Sequence, residues 1–128
     1  MANGRDDSIL SSVKTSMPNS GVPQDYTVFD NELIIDINSV LAELSQIGVG
    51  PIDTVFSITD SSETWGDFID DEELLSLVPL YVATQVRLMF DPPKSSIVKE
   101  ALEKSASKLE FRINDACRRY HKRKEDIM

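Results

Sequence analysis

The chain has 128 residues, 41% of them hydrophobic, with 13 Lys and Arg against 22 Asp and Glu, a single Cys and a single His. That length excludes a second full domain, yet it can bury roughly two-thirds of the unfolded surface, so a core forms without disulfides or a metal. The net charge of −9 is uneven, because residues 1–95 hold 4 basic and 16 acidic residues while residues 96–128 hold 9 basic and 6 acidic ones; an acidic body disfavours tight wrapping of nucleic acid.

Cys117 has no partner for an intramolecular disulfide. The longest apolar run, Leu77 to Ala83, is seven residues and contains Pro79, far short of the roughly 20 residues of a membrane span. Met1 to Leu10 has no apolar signal-peptide stretch, and Ala2 rather than Gly follows Met1. The expectation is an intracellular soluble protein.

In chain order, the first helix is expected from Asp7 to about Met17, where Ile9, Leu10, Val13 and Met17 share a face and Pro18 ends it. A breaker-rich loop, Pro18-Asn19-Ser20-Gly21-Val22-Pro23, follows. The second helix, Asn31 to Ile47, is the best signalled. Asp30 reads as its N-cap, Phe29 and Ile34 as a hydrophobic staple, and Leu33, Ile37, Val40, Leu44 and Ile47 as one buried face. Gly48 sits where a left-handed C-terminal residue is wanted, and Gly50-Pro51 prevents continuation.

From Val49 to about Glu72 no helical period exists. Phe56 and Ile58 alternate with Ser57 and Thr59, enough for a short strand arm, and Trp65, Phe68 and Ile69 follow among acidic residues. So long a loop in a small domain is functional or disordered. The third helix is expected from Leu77 to Phe90, with Ser76 as N-cap and Pro79 in the first turn, buried on most sides as the central helix. Asp91-Pro92-Pro93 stops it. The last helix, Ser96 to about Lys124, is on the order of 40 Å long. Its seam of Val98, Leu102, Ser105, Leu109, Arg112 or Ile113, Ala116 and Tyr120 faces the bundle, weakened by Ser105, and its basic end overhangs. The fold class is thus all-α: a small four-helix bundle with a long central loop, a short β arm and an extended C-terminal helix. Residues 1–28 form an N-terminal helix and linker, and 29–128 the main helical domain, with 49–71 as the loop and 114–128 as the basic segment.

The cluster Arg118, Arg119, Lys122, Arg123 and Lys124 exceeds what compensation of the helix dipole needs. It reads as a docking peg for an acidic protein surface or for DNA phosphate, with Tyr120 and His121 interleaved. Asp60 to Asp71 fails as a calcium loop, since Trp65 stands where Gly is required and Asp71 where Glu is. Asp70-Asp71-Glu72-Glu73 reads as a solvated approach to a helix. Cys117 and His121 lie four apart on one helix, but zinc wants four ligands. No catalytic constellation is present, and no cofactor is implied. Trp65, Phe68 and Ile69 are either the loop's own core or anchors into a neighbouring subunit.

Leu77-Val78-Pro79-Leu80-Tyr81-Val82-Ala83, then Val86-Arg87-Leu88-Met89-Phe90-Asp91-Pro92-Pro93, then Ser95-Ser96 opening a helix with Leu109-Glu110-Phe111-Arg112, resemble the head-tail connector (adaptor, or head-completion) proteins of long-tailed bacteriophages. Ile37-Asn38, Ile47-Gly48-Val49-Gly50-Pro51 and Thr64-Trp65 look like the same family, and the similarity covers about residues 29–113. The resemblance implies a non-enzymatic structural protein of the virion neck, present in the host cytoplasm during assembly. Copies are expected to form a twelve-fold ring under the portal protein, to extend the channel through which packaged DNA passes without specific binding, and to seat the stopper or tail-completion protein. No membrane is involved. The resemblance assigns Arg118, Arg119, Tyr120, Lys122, Arg123 and Lys124, within Arg118 through Met128, to portal docking. It assigns Phe56, Ile58, Trp65 and Phe68, in the loop from Val49 to Asp71, to contact between subunits. The competing reading of the same residues is a small helical regulator that binds DNA through its basic C-terminal helix; a weaker third is an inhibitor docking one bacterial protein.

Overall fold

A computed structural model of the chain describes residues 4–18, 22–51 and 53–127. Its elements are α1 (Ile9–Ser16), α2 (Asp30–Gln46), α3 (Trp65–Phe68), α4 (Glu72–Phe90) and α5 (Ser96–Ile127). The all-α class holds: among the described residues the sole extended pairing is one antiparallel bridge, Ser8 with Thr64. Residues 55–58 form no strand, and the short α3 is an element beyond the four expected. Asn19, Ser20 and Gly21 of the breaker loop, and Met128, lie outside the described residues.

α1 starts where the Ser8 hydroxyl accepts from the Ser11 N–H at 3.2 Å, one of the four first-turn amides that a helix leaves open. It buries Ile9, Leu10 and Val13 in the same core as the later helices. Asp30 does not cap α2. Phe29 holds the N-cap position without a side-chain bond, and Asp30, the first helical residue, instead receives the Lys14 ammonium at 2.8 Å. Lys14 is 1% exposed, and a buried cation needs an anion far more than solvated first-turn amides need a cap.

The stripe read from α2 is the buried one: Leu33, Ile37, Val40, Leu41 and Leu44 all face the core. Ile47 does not join them; it is the C-cap and is exposed. Gly48, at φ +99, ends the helix. Its N–H donates to the Ser45 carbonyl at 3.1 Å and the Val49 N–H to the Leu44 carbonyl at 3.0 Å, the pair of bonds that a left-handed C′ residue makes possible.

The strand arm is absent because one side chain satisfies its backbone. The Asn38 amide donates to the Ile58 carbonyl at 3.0 Å and accepts from the Ile58 N–H at 2.7 Å, so Ile58 buries without a partner strand. α3 follows from a capping box, with the Thr64 hydroxyl accepting from the Asp67 N–H and the Asp67 carboxylate accepting from the Thr64 N–H.

α4 begins five residues before the expected start, capped by Asp71, whose carboxylate accepts from the Leu74 N–H at 3.1 Å. Pro79 therefore lies inside the helix. A proline there costs about 3 kcal/mol, but the added turn buries Leu74 and Leu75, and each side chain contributes about 1.5–3 kcal/mol. α4 is the central helix, packed against α5, α2, α1 and α3. Counting unbroken apolar residues understates it. By length and composition alone α4 could cross a membrane, with mean hydropathy 1.2 over its window, and the reason is its central burial.

α5 outruns α4 at both ends, at its expected basic end and also at its start. It runs antiparallel to α4, with Arg119 opposite Glu73. α4 has 19 residues to α5's 32, so counting back along α5 the partner ends near Leu102. Val98 is 45% exposed and Ile97 80%, while the buried seam is Ala106, Leu109, Ile113, Ala116 and Cys117. The basic end, though its cations stay exposed, is tied to residues 70–73 by ion pairs and hydrogen bonds, whereas among the described residues the start of α5 has no such ties to the body.

Candidate functional site

The residues assigned to docking lie together on the last third of α5, against the start of α4. The α3 turn and the Ile69–Asp71 link deliver the acidic run to this place. Arg119 donates from Nη2 and Nε to the two Glu73 carboxylate oxygens at 2.6 and 3.3 Å and from Nη1 to Asp115 at 2.5 Å. Arg123 donates to Asp71 at 2.7 Å, the Tyr120 hydroxyl to Asp70 at 2.8 Å, and Arg118 to Asp115 at 3.0 Å. Lys124 is 3.9 Å from Asp70 and lies 5.4 Å from the Tyr120 ring centroid. The cluster, read as a docking peg, and the acidic run, read as a solvated approach to a helix, form one clasp. Arg118 and Lys122 face outward, and Lys122 has no carboxylate partner among the described residues.

The clasp sets the local electrostatics. Hydrogen bonds from Arg119, then Arg118, hold the Asp115 carboxyl below the usual range. Glu73 and Asp115 in turn hold the Arg119 guanidinium above its ordinary value. Partial burial, and then the bond to Asp70, push the Tyr120 phenol up to about 12. Four of the five clustered cations face carboxylates of their own chain, which leaves little free charge for phosphate.

Cys117 and His121 share a face, as their spacing requires, and both serve the C-terminus of α2. The Cys117 thiol donates to the Ile47 carbonyl at 3.5 Å, and His121 Nε2 donates to the Gly48 carbonyl at 2.9 Å. Burial pushes the Cys117 thiol up, with the Asp71 charge adding to it. No group of three or more His, Cys, Asp or Glu among the described residues could hold a metal ion. In the loop that fails as a calcium site, the Glu63 carboxylate accepts from the Thr59 N–H and hydroxyl at 3.0 and 2.9 Å, and Asp60 accepts from the Ser62 N–H at 2.7 Å. These acids close a turn.

The residues assigned to subunit contact pack inwards. Ile58, Trp65 and Phe68 are each 2% exposed and Phe56 is half-buried. Phe68 packs at 5.1 Å against Phe56, the rings tilted by 38°, and lies on Gly50, where φ is +94 and a Cβ would enter the ring. Within the single chain Ile58, Trp65 and Phe68 thus serve its own core, with Phe56 packed at its edge. Among the described residues of this loop, Val55, at 78%, is the large apolar side chain left exposed. Sequence reasoning missed Asn38, Asp70, Asp71 and Glu73 as partners; opposite charge runs in one short chain were the available signal.

Against known proteins, a family model described as "Phage connector protein" matches residues 9–119. The match takes in α1, ahead of the segment in which the resemblance was seen. No curated protein and no solved structure matches the chain.

Proposed function

The chain belongs to the phage connector family, a structural and non-enzymatic one, and from that premise we propose that it forms a ring beneath the portal at the capsid vertex, in the virion neck. The ring, expected to be twelve-fold, extends the DNA channel and seats the stopper or tail-completion protein. The observation that carries this reading is the incompleteness of the single chain. Residues 96–105 are exposed except for half-buried Leu102, and Ile97 and Phe111 stand 80% and 70% open on the same helix. A helix with little packing of its own is marginal in water, and a neighbouring subunit supplies what this one lacks. The acidic body suits a channel through which DNA slides without binding.

Portal docking falls to the basic end of α5. Arg118 and Lys122 point outward for the contact, while Arg119 holds that end on Glu73 of α4 and Tyr120, Arg123 and Lys124 hold it on Asp70 and Asp71 just before the helix. Mass photometry of the protein mixed with portal should give a ring complex, and a chain truncated after Cys117 should give none. Because truncation also removes the clasp, the full-length double variant Arg118→Ala, Lys122→Ala is the cleaner arm. Undiminished docking by it overturns the assignment to these residues, and a protein that never assembles on portal overturns the connector ring.

A further inference from the structure

Two helix faces of this chain are uncovered, and they are opposite in charge. From Thr15 to Val86 the sequence has thirteen acidic residues and no Lys, Arg or His. On α2 the solvent side presents Glu32, Asp36 and Glu43 around Ile35, which is 67% exposed. None of the three acids has a salt bridge among the described residues. Partial burial and the neighbouring Glu32 hold the Asp36 carboxyl above the usual range, as expected of a face with uncompensated negative charge.

On α5, Ile97, Lys104 and Phe111 recur every seven residues, which places them on nearly one line, with Lys108 beside them. Ile97 is 80% and Phe111 70% exposed. Lys104 reaches only Glu100, at 3.4 Å, with both side chains more than two-thirds open, a contact worth little in water. α4 packs against both α2 and α5, and the two faces point away from it, so neither can cover the other within one chain.

We propose that the occupant of each face is a second copy of this chain: the α2 face of one subunit, Glu32, Ile35 and Glu43, docks on the Lys104, Lys108 and Phe111 face of the next. Such a contact joins unlike surfaces and therefore repeats head to tail, which closes into a ring when the rotation permits. Exposed apolar residues supply the buried centre and the charges fix orientation and partner. The inference rests on the ring reading above and names the surfaces that make it.

The test uses full-length protein with two charge-reversed variants. Lys104→Glu with Lys108→Glu leaves both faces acidic, and Glu32→Lys with Glu43→Lys leaves both basic. Each alone should raise the concentration for half-assembly at least tenfold in mass photometry, and an equimolar mixture should restore assembly, because unlike faces again meet. Restoration also shows that both variants fold. Phe111→Ser should weaken assembly without rescue by either. A wild-type ring indifferent to all three variants overturns this contact and leaves the ring standing; two losses that mixing does not restore overturn the pairing of these faces. A wild type that stays monomeric, alone and with portal, overturns the ring reading itself.

Discussion

Lys14 illustrates how a single side chain organises the N-terminal third. Its ammonium has three protons, and each finds an acceptor: the Gln24 carbonyl at 3.1 Å, the Tyr26 carbonyl at 3.0 Å and the Asp30 carboxylate at 2.8 Å. The cost of desolvating the charge is offset only because all three are present. Lys14→Met removes the cation but leaves the carboxylate and two carbonyls unmatched, and should destabilise the protein by about 3 kcal/mol in urea unfolding. Tyr120 governs the alkaline side. Its folded phenol titrates near 12 against 10 for an ordinary one, so the neutral form stabilises the fold fully below pH 10 and that contribution is lost as pH rises toward 12. Melting temperatures between pH 9 and 12 should fall less steeply for Tyr120→Phe than for wild type. A residual slope remains from Tyr81, which burial also raises.

At the scale of elements, what could be read from the sequence was whatever local spacing encodes. The α2 stripe and its Gly48 terminator follow from periodicity and backbone sterics, and they stand as read except for Ile47, which the C-cap turns outward. The start of α4 did not, because Pro79 argues locally for a late start while Leu74 and Leu75 gain only from packing against distant residues. Replacing that proline should separate the two effects. Pro79→Ala restores an N–H for the Leu75 carbonyl at the expense of a looser unfolded chain, and should raise stability by about 1–2 kcal/mol in the same urea assay. The β arm failed for a comparable reason: Phe56 and Ile58 alternate as a strand does, but the backbone of Ile58 is partnered by the Asn38 side chain, 20 residues away. The clasp was invisible in the same way. Both charge runs are plain in the sequence, but the antiparallel return of α5 that joins residues 46 to 52 positions apart is not.

Across the whole molecule, the mismatch in length between α4 and α5 divides the protein into a packed body and a projecting helix. Local opening should follow that division. Hydrogen exchange is expected to be fastest along α5 in residues 96–105 and slow from Leu109 to Tyr120, and the projecting segment should gain protection when copies assemble. Uniform exchange along α5 would mean that the projection is held by something within its own chain. The division also accounts for the charge asymmetry. The basic C-terminal quarter reads as separate from the acidic body only in sequence; in space its end lies against the acidic residues 70–73 at the start of α4, and the outward remainder is Arg118, Lys122 and the cations of the projecting helix.

Trp65 gives this architecture an optical consequence. It is the chain's single tryptophan, 2% exposed, with its indole N–H donating to the Ser12 hydroxyl at 3.2 Å and its backbone N–H to the Asp7 carbonyl at 3.1 Å. Its surroundings thus depend on α1 being in place, while most helical residues lie elsewhere. Lifting α1 from the body should shift the emission maximum to longer wavelength with little loss of far-ultraviolet ellipticity, whereas global unfolding moves both signals together. An intrinsic fluorophore at the junction of the first helix with the central loop therefore lets rearrangement of the N-terminal segment during assembly be followed in unlabelled protein, provided the partners contribute no overlapping emission.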